Sequence, residues 1–583
     1  MIVLPTAHRR LRILIVALAI IAAFILLLAA GLPYGLLKLA MGLPMPDGDF
    51  RSLNSGNVLA FRGLFLIGGL LFGWIGWVTA QGTFSGRSWL ADRRAELARL
   101  GSAFKPTGDE GFFVAALALM ALLALVIRLP YLWAPLHHDQ AYTVVVFAPR
   151  LWTALTDYHV PNNHVLHTVL VHFAIRLFGI QPWAIRLPAL FAGILMIPAT
   201  YWLGRAIYDR YTGLMAALLV AVAPPAILYA TVARGYALLA LITLSVFWLG
   251  DFVQRDRNAL AWSLVALLSA LGFWTIPIML LPFGMLFTWL IVENWAAGGG
   301  PYGSRLNFSK YWLAAGFGTM ALTFVLYSPL FIFTGFWKVL TNDFHFALDQ
   351  FLPMAQRHFA VVGEWRLGAP TWLVIFLGAG FFLSLVFHRR LSVHRFPLQL
   401  AGLLWFLGVL VLARPLPWGR IWFFLLAPVL LWCSAGTAGL LKDLRIKRAR
   451  NLSVSAVLIA ALMVYPFVGS WQALRGLPQA RAIIGREEAA LLFIAEHLQE
   501  NDLILAPSPQ NAVIWYYGRL HGIPDHHFDP AYPHQRVFLL TQPVKAQYAA
   551  EISEQYGLTE AAWSSPKLLQ GVRGLEIYLV ERR

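Results

Sequence analysis

Charge is what this sequence has least of, and negative charge least of all. Only 13% of its 583 residues are Asp, Glu, Lys or Arg, with 28 acidic against 45 basic, and a water-soluble globular chain carries about twice that share. A chain so poor in charge cannot clothe an ordinary aqueous surface. Cysteine is scarcer still: the lone Cys433 excludes an intrachain disulfide, and its apolar neighbours read as simple burial. Internal repeats and long low-complexity tracts are absent, and the polar C-terminal region lacks a glycine-rich phosphate fingerprint, a zinc spacing and a nucleophile elbow. The net charge of +17 comes without a basic face or binding motif, so no nucleic-acid partner is expected.

What is abundant is apolar length. Hydrophobic residues make up 59% of the chain, with 23 Trp and 40 Phe, and they gather in runs near the length that spans a bilayer. These runs fall at about 12–33, 57–80, 112–134, 183–204, 212–230, 236–252, 259–275, 277–293, 311–334, 371–388, 396–413, 421–440 and 452–469. The fold class expected is an α-helical polytopic membrane protein of about thirteen transmembrane helices with a small C-terminal α/β extracytoplasmic domain. The first run follows "HRRLR" with no small-residue cleavage site, which reads as a retained helix.

Arg and Lys crowd alternate connections, among them "GRAIYDR", "HRRLSVHR" and "KDLRIKRAR", as cytoplasmic loops do. The N-terminus is therefore expected inside, with membrane lipids and their anionic headgroups as partners. The C-terminal region and the connections 135–182, 335–370 and 414–420 are expected outside. This parity requires that "HVLHTVLVHFAIRLFG", residues 164–179, does not cross. His164, Thr168, His172 and Arg176 recur every four residues along it, a polar stripe expected of a helix lying along the interface.

Three segments follow: 1–100, an additional two-helix membrane segment; 101–470, a membrane-embedded core; and 471–583, the extracytoplasmic domain. In the last, "REEAALLFIAEHL" reads as an amphipathic helix, and "DLILA", "RVFLLT" and "LEIYLVER" read as strands. A lid, docking surface or structural cap is the expected role.

Against this apolar background, "LPYLWAPLHHDQAYT" sets His137, His138, Asp139, Gln140 and Tyr142 just past the outer end of the third run. An ionisable group at that depth is costly unless it meets water, a partner or a substrate. The outer connections add Asn162, Asn163, His164 and His167; Arg234 and Tyr236; Asp343, His345, Asp349, His358 and Glu364; and Arg414 and Arg420. All fall on one side. Arg128 and Arg186, near run ends, read as snorkelling or headgroup contacts.

The order of "RLPYLW", "HHDQAYT", "NNHVLHTVLVHFAIRLFG", "AIRLPALFAGILMIPATYWLGRAIYDRYTGLMAALL" and "ARGYALLALITL" resembles the C-type membrane glycosyltransferases. Within them it is most similar to the branch of protein O-mannosyltransferases, aminoarabinose transferases and rhizobial lipopolysaccharide-core galacturonosyltransferases. The resemblance spans roughly residues 112–255. It implies a bacterial inner-membrane enzyme that moves a sugar from a polyprenyl-phosphate donor to an envelope lipid, glycan or protein acceptor on the outer face. It also implies that Asp139 stands at the catalytic aspartate of the first outer loop. Gln140 replaces the frequent second acid, and "HVLH" replaces His-Pro-Pro-Leu. No metal ligand is assigned, and a divalent cation is left open as a companion.

The chemistry agrees. Glycosyl transfer needs a base for the acceptor proton and positive charge where the departing phosphate gathers its negative charge. Asp139 supplies the first; Arg234, Arg414 and Arg420 are candidates for the second. His138, Gln140, Tyr142, Asn163, His164, Tyr236 and His345 complete the expected substrate contacts. Retention through a double displacement would want a second carboxylate about 5 Å away, and the first loop shows none adjacent. A flippase or transporter of lipid-linked sugars is the alternative, although paired inverted repeats and helices interrupted at the midplane are not evident.

Overall fold

The computed structural model describes residues 6–33, 86–104, 111–341, 371–412, 419–443 and 485–583 except 560, with isolated positions between 59 and 73 and between 353 and 360. Most of the run 57–80, the run 452–469, most of the connection 335–370, and with them His345 and Arg414, lie outside the described residues.

The apolar runs that fall within the described residues become helices. Among the described residues six are long and apolar enough to cross a membrane: Gly111–Trp133, Pro182–Ile207, Tyr236–Arg255, Pro277–Ala297, Arg305–Leu340 and Gly419–Leu440. A seventh span arises if Arg210–Val222 and Pro224–Ala230, bent by 62° at their junction, count as one. Ala259–Thr275, Thr371–Val386 and Leu398–Leu412 are apolar but shorter.

The bend has a local cause. Ala223 precedes Pro224 and takes extended backbone, as residues before proline do. Pro225, four positions after Ala221, has no N–H to give that carbonyl. Arg128 supplies it: its Nη1 donates to the Ala221 oxygen at 2.8 Å and to the Ala124 oxygen at 3.0 Å. Arg128 is fully buried, so the expectation that it snorkels is corrected, since a carbonyl orphaned by proline claims it. Close helix approach uses small residues. A Cβ on Gly204 of Pro182–Ile207 would sit 2.6 Å from the Cα of Gly213 in Arg210–Val222.

The helix Val165–Phe178 is one of the shorter ones, and its polar stripe faces inward. Thr168 and His172 are buried, whereas Leu170, Phe173, Leu177 and Phe178 are exposed. His172 donates from Nδ1 to the Ala148 oxygen at 2.7 Å. Of the stripe, Arg176 alone is exposed beyond the helix's start.

The C-terminal domain carries a four-stranded sheet of β1 (Asp502–Leu505), β2 (Arg536–Thr541), β3 (Lys567–Val572) and β4 (Leu575–Glu581) in the order β1-β2-β4-β3. β1 runs parallel to β2; β4 is antiparallel to both β2 and β3. Period-two alternation sorts β2: Val537 and Leu539 face one core, Phe538 and Leu540 the other. That second core is continuous with the first loop of the membrane part, joining Phe538, Ile577, Leu491 and Ile514 to Leu136, Ala141, Val144 and Val145. The helix Gln510–Leu520, which no sequence signal singled out, makes the junction. Tyr517 accepts from the Leu136 N–H, Tyr516 donates to the Ile180 oxygen, and Arg519 donates to the Val145 oxygen.

Candidate active site

Asp139 is aimed by a turn that another arginine holds. After the 3₁₀ turn Leu129–Trp133 the chain passes Pro135 with carbonyls that no helix satisfies. Arg186 gathers them, donating from Nη1 to the Leu132 and Ala134 oxygens at 2.7 Å each and to the Tyr131 oxygen at 3.2 Å. It too is buried and reaches no headgroup, again correcting the expectation. From this anchor His137 enters the short helix His138–Tyr142 in extended conformation. His138 donates from Nδ1 to the Pro509 oxygen of the C-terminal domain at 2.9 Å.

The helix then divides its residues. Gln140 turns inward, its Oε1 accepting from the Ala233 N–H at 2.9 Å and from Arg186 Nε at 3.2 Å. Asp139 turns into a cleft of about 380 Å³, whose walls come from distant parts of the chain. The first loop contributes His138, Asp139, Tyr142, Tyr158, Asn162 and His164; the segment before Tyr236–Arg255 contributes Arg234, with Tyr236 following; Arg420 and Ile421 close one side, and Ser508 and Asn511 of the C-terminal domain another.

Arg420 Nη1 lies 3.0 Å from Asp139 Oδ2, with both side chains about a third exposed. Arg234 is buried and spans the floor. It donates to the Asn162 oxygen at 2.6 Å, lies 3.4 Å from Thr143 Oγ1, and sets Nη2 at 2.9 Å from His164 Nε2. The Gly235 N–H donates to His164 Nδ1 at 2.9 Å, which leaves the imidazole proton on Nε2. Two donors, Nε2–H and the guanidinium, therefore meet at one spot. A Cβ at Gly235 would lie 2.7 Å from Thr275 Cγ2, so only glycine permits this approach.

Burial, and then the charge of Arg234, hold the His164 imidazole well below its ordinary pKa; the same causes bring His167 down to about 3. Burial foremost, with Arg186 second, lowers His137. Among the described residues Asp139 is the one carboxylate lining the cleft, facing two guanidinium groups. Among them, too, no group of three or more His, Cys, Asp or Glu side chains is arranged to hold a metal ion.

Of the residues singled out from sequence, His138, Asp139, Tyr142, Asn162, His164, Arg234, Tyr236 and Arg420 converge on the cleft. Gln140 does not. Neither does Asn163, whose amide ties the loop together by donating to the Ala154 and Asp157 oxygens; its neighbour Asn162 donates to the Asp139 carbonyl at 3.1 Å. His358 is buried and accepts from Trp422 Nε1 at 3.0 Å. Sequence reading missed Tyr158, Ser508 and Asn511. It also passed over "TDYH", a polar interruption in the first loop that was the available signal for Asp157 and His159. The last two residues of the wall belong to a domain expected to be only a lid, a docking surface or a cap.

Residues 163–333 match the family model of the dolichyl-phosphate-mannose-protein mannosyltransferases. The matched segment begins after the "HHDQAYT" motif. Among solved structures the chain is similar to ArnT from Cupriavidus metallidurans in the apo state, with a TM-score of 0.51 at 14% identity over 81% of this chain and 98% of that one. ArnT from the same organism bound to undecaprenyl phosphate aligns with a TM-score of 0.49, also at 14% identity, over the same 81% and 98%. The oligosaccharyltransferase AglB from Archaeoglobus fulgidus, in complex with an inhibitory peptide and a dolichol-phosphate, aligns with a TM-score of 0.43 at 12% identity over 73% and 69%. No curated protein matches by sequence. The resemblance to the C-type membrane glycosyltransferases drawn from the motifs is borne out.

Proposed function

We propose that this chain, a C-type membrane glycosyltransferase, moves a sugar from a polyprenyl-phosphate donor to a hydroxyl of a cell-envelope lipid, glycan or protein on the outer face of a bacterial inner membrane. The observation that carries this reading is the pairing of Asp139 with Arg420 in a cleft that also receives Arg234. Asp139 takes the proton of the attacking hydroxyl as the bond from the sugar to phosphate oxygen breaks. Arg420 carries five N–H groups, so one edge can keep the carboxylate while another takes a phosphate oxygen. The Nε2–H of His164 and the guanidinium of Arg234 point at one place, an arrangement that a phosphate oxygen would reconcile.

Displacement in one step, with inversion, is supported by the single carboxylate of the described cleft wall. The domain division at 100 and 470 and the count of about thirteen spans belong to the same reading, with the two first helices added ahead of the catalytic core.

Reconstitution tests it. Purified protein in liposomes, given labelled lipid-linked sugar and envelope material from cells lacking the gene, should yield a glycosylated product. Movement of the label across the bilayer with no product ever forming would instead establish the flippase alternative.

A further inference from the structure

We propose that Ser508 and Asn511, which the C-terminal domain gives to the cleft wall, hold the acceptor, and that the attacking hydroxyl belongs to a sugar ring. This rests on the transferase reading above and gives its second substrate a place and a chemical class.

The two residues reach the cleft on a fixed turn. After β1 the chain passes Pro507, Ser508 and Pro509 into the helix Gln510–Leu520. The Gln510 N–H donates to the Pro507 oxygen at 2.9 Å, and Gln547 donates from Nε2 to the Ser508 oxygen at 3.2 Å. The Gln510 side chain bonds that of Gln542. The Pro509 oxygen accepts from His138, the residue beside Asp139, at 2.9 Å, so the turn is fastened to the short helix that carries the proposed base. Its carbonyls are taken up by these bonds, while Ser508 and Asn511 stay exposed and line the cleft.

The cleft therefore has two approaches. Ile276, Ile278 and Ile421 line it at the ends of the spans Pro277–Ala297 and Gly419–Leu440. A donor whose prenyl chain stays in the bilayer comes in past them, and its phosphate meets Arg234 and Arg420. Ser508 and Asn511 form a part of the wall that is not membrane helix, next to His138 and Asp139, where a second substrate meets the proposed base. Their chemistry names its class. Both side chains are uncharged, and each can donate and accept, as a sugar hydroxyl does. Three positions apart on one turn, they suit neighbouring hydroxyls of one ring. A headgroup phosphate would call for a cation there, and a peptide for a strand edge or pockets for its side chains.

The test uses purified protein in liposomes, tritiated lipid-linked sugars extracted from labelled cells as donor, and envelope material from cells lacking the gene as acceptor. Linkage analysis of the product should find the label bonded to a sugar; label on a Ser or Thr of protein, or on the glycerol of a lipid, would overturn the class. Asn511→Ala should raise the half-saturating acceptor concentration about tenfold, the scale of one neutral hydrogen bond, with undecaprenyl phosphate binding unchanged. Ser508→Ala should act in the same direction. Wild-type saturation in either variant, or an equal loss of undecaprenyl phosphate binding, would overturn the place. If the wild-type protein forms no product from any acceptor fraction, the transferase reading falls and this one with it. If it forms a product and Asn511→Ala saturates as the wild type does, the transferase reading stands and this one alone falls.

Discussion

Arg420 reaches Asp139 across 281 positions of sequence and holds its Oδ2 at 3.0 Å. Because each partner keeps about a third of its side chain exposed, the pair is worth at most about 1 kcal/mol. It orients the carboxylate without locking it, as the proposed sharing of the guanidinium with a donor phosphate requires.

Asp139→Asn keeps the shape and removes the proposed base. Turnover should fall by at least about 10²-fold, while undecaprenyl phosphate still binds. Turnover near wild type would remove Asp139 from the chemistry.

Replacing Arg420 should act first on the donor. Arg420→Ala is expected to weaken undecaprenyl phosphate binding by roughly 10- to 100-fold, the range of a hydrogen bond to a charged group. Arg420→Lys should recover part of it, since an ammonium keeps the charge and lacks the fork. Free prenol, which has no phosphate, should not distinguish the variants; if it does, Arg420 packs on the lipid chain.

Gln140→Glu restores the acid pair frequent in the family that the motifs resemble, and the sequence alone suggests tolerance with a metal response. The structure supports only the tolerance. The new carboxylate would face Arg186 and the Ala233 N–H, away from the cleft. Activity should stay near wild type with no dependence on added divalent cation; metal-dependent turnover would show that this side chain reaches substrate.

Acid should destabilise the protein through its buried imidazoles. His167 is ordinarily protonated below 6.5 and in the fold only below about 3. Between these values the unfolded chain binds a proton that the folded one refuses, so stability falls as pH drops, by up to about 1.4 kcal/mol per unit. In detergent, His167→Gln should flatten the fall of thermal stability between pH 6 and 4, values inside that window. An unchanged slope would assign it to other groups such as His164.

The outer location proposed for the C-terminal domain can be tested chemically, because Cys433 is buried and contributes no background. A cysteine at Val544, which is 87% exposed, should react with an impermeant maleimide in cells whose outer barrier has been opened. Labelling only after lysis of the inner membrane would reverse the topology.

The apolar runs, the strands "RVFLLT" and "LEIYLVER", and the polar chemistry of "HHDQAYT" were legible along the chain, because hydropathy and period are local properties that neighbours in sequence impose on one another. Eight of the residues named from sequence do line one cleft. What could not be read was direction and partnership. Arg128 and Arg186 look like any basic residue at the end of a span until Pro225 and the 131–135 turn leave carbonyls beside them. The stripe of Val165–Phe178 has the same period whether it faces water or the interior, and packing turned it inward. Ser508 and Asn511 carry no motif, and enter the wall only because the helix Gln510–Leu520 docks on the first loop. Sequence thus determined which segments are apolar and where ionisable groups interrupt them; tertiary structure decided which of those groups meet, because a hydrogen bond needs its partner within about 3 Å and only the folded chain brings residues hundreds of positions apart that close.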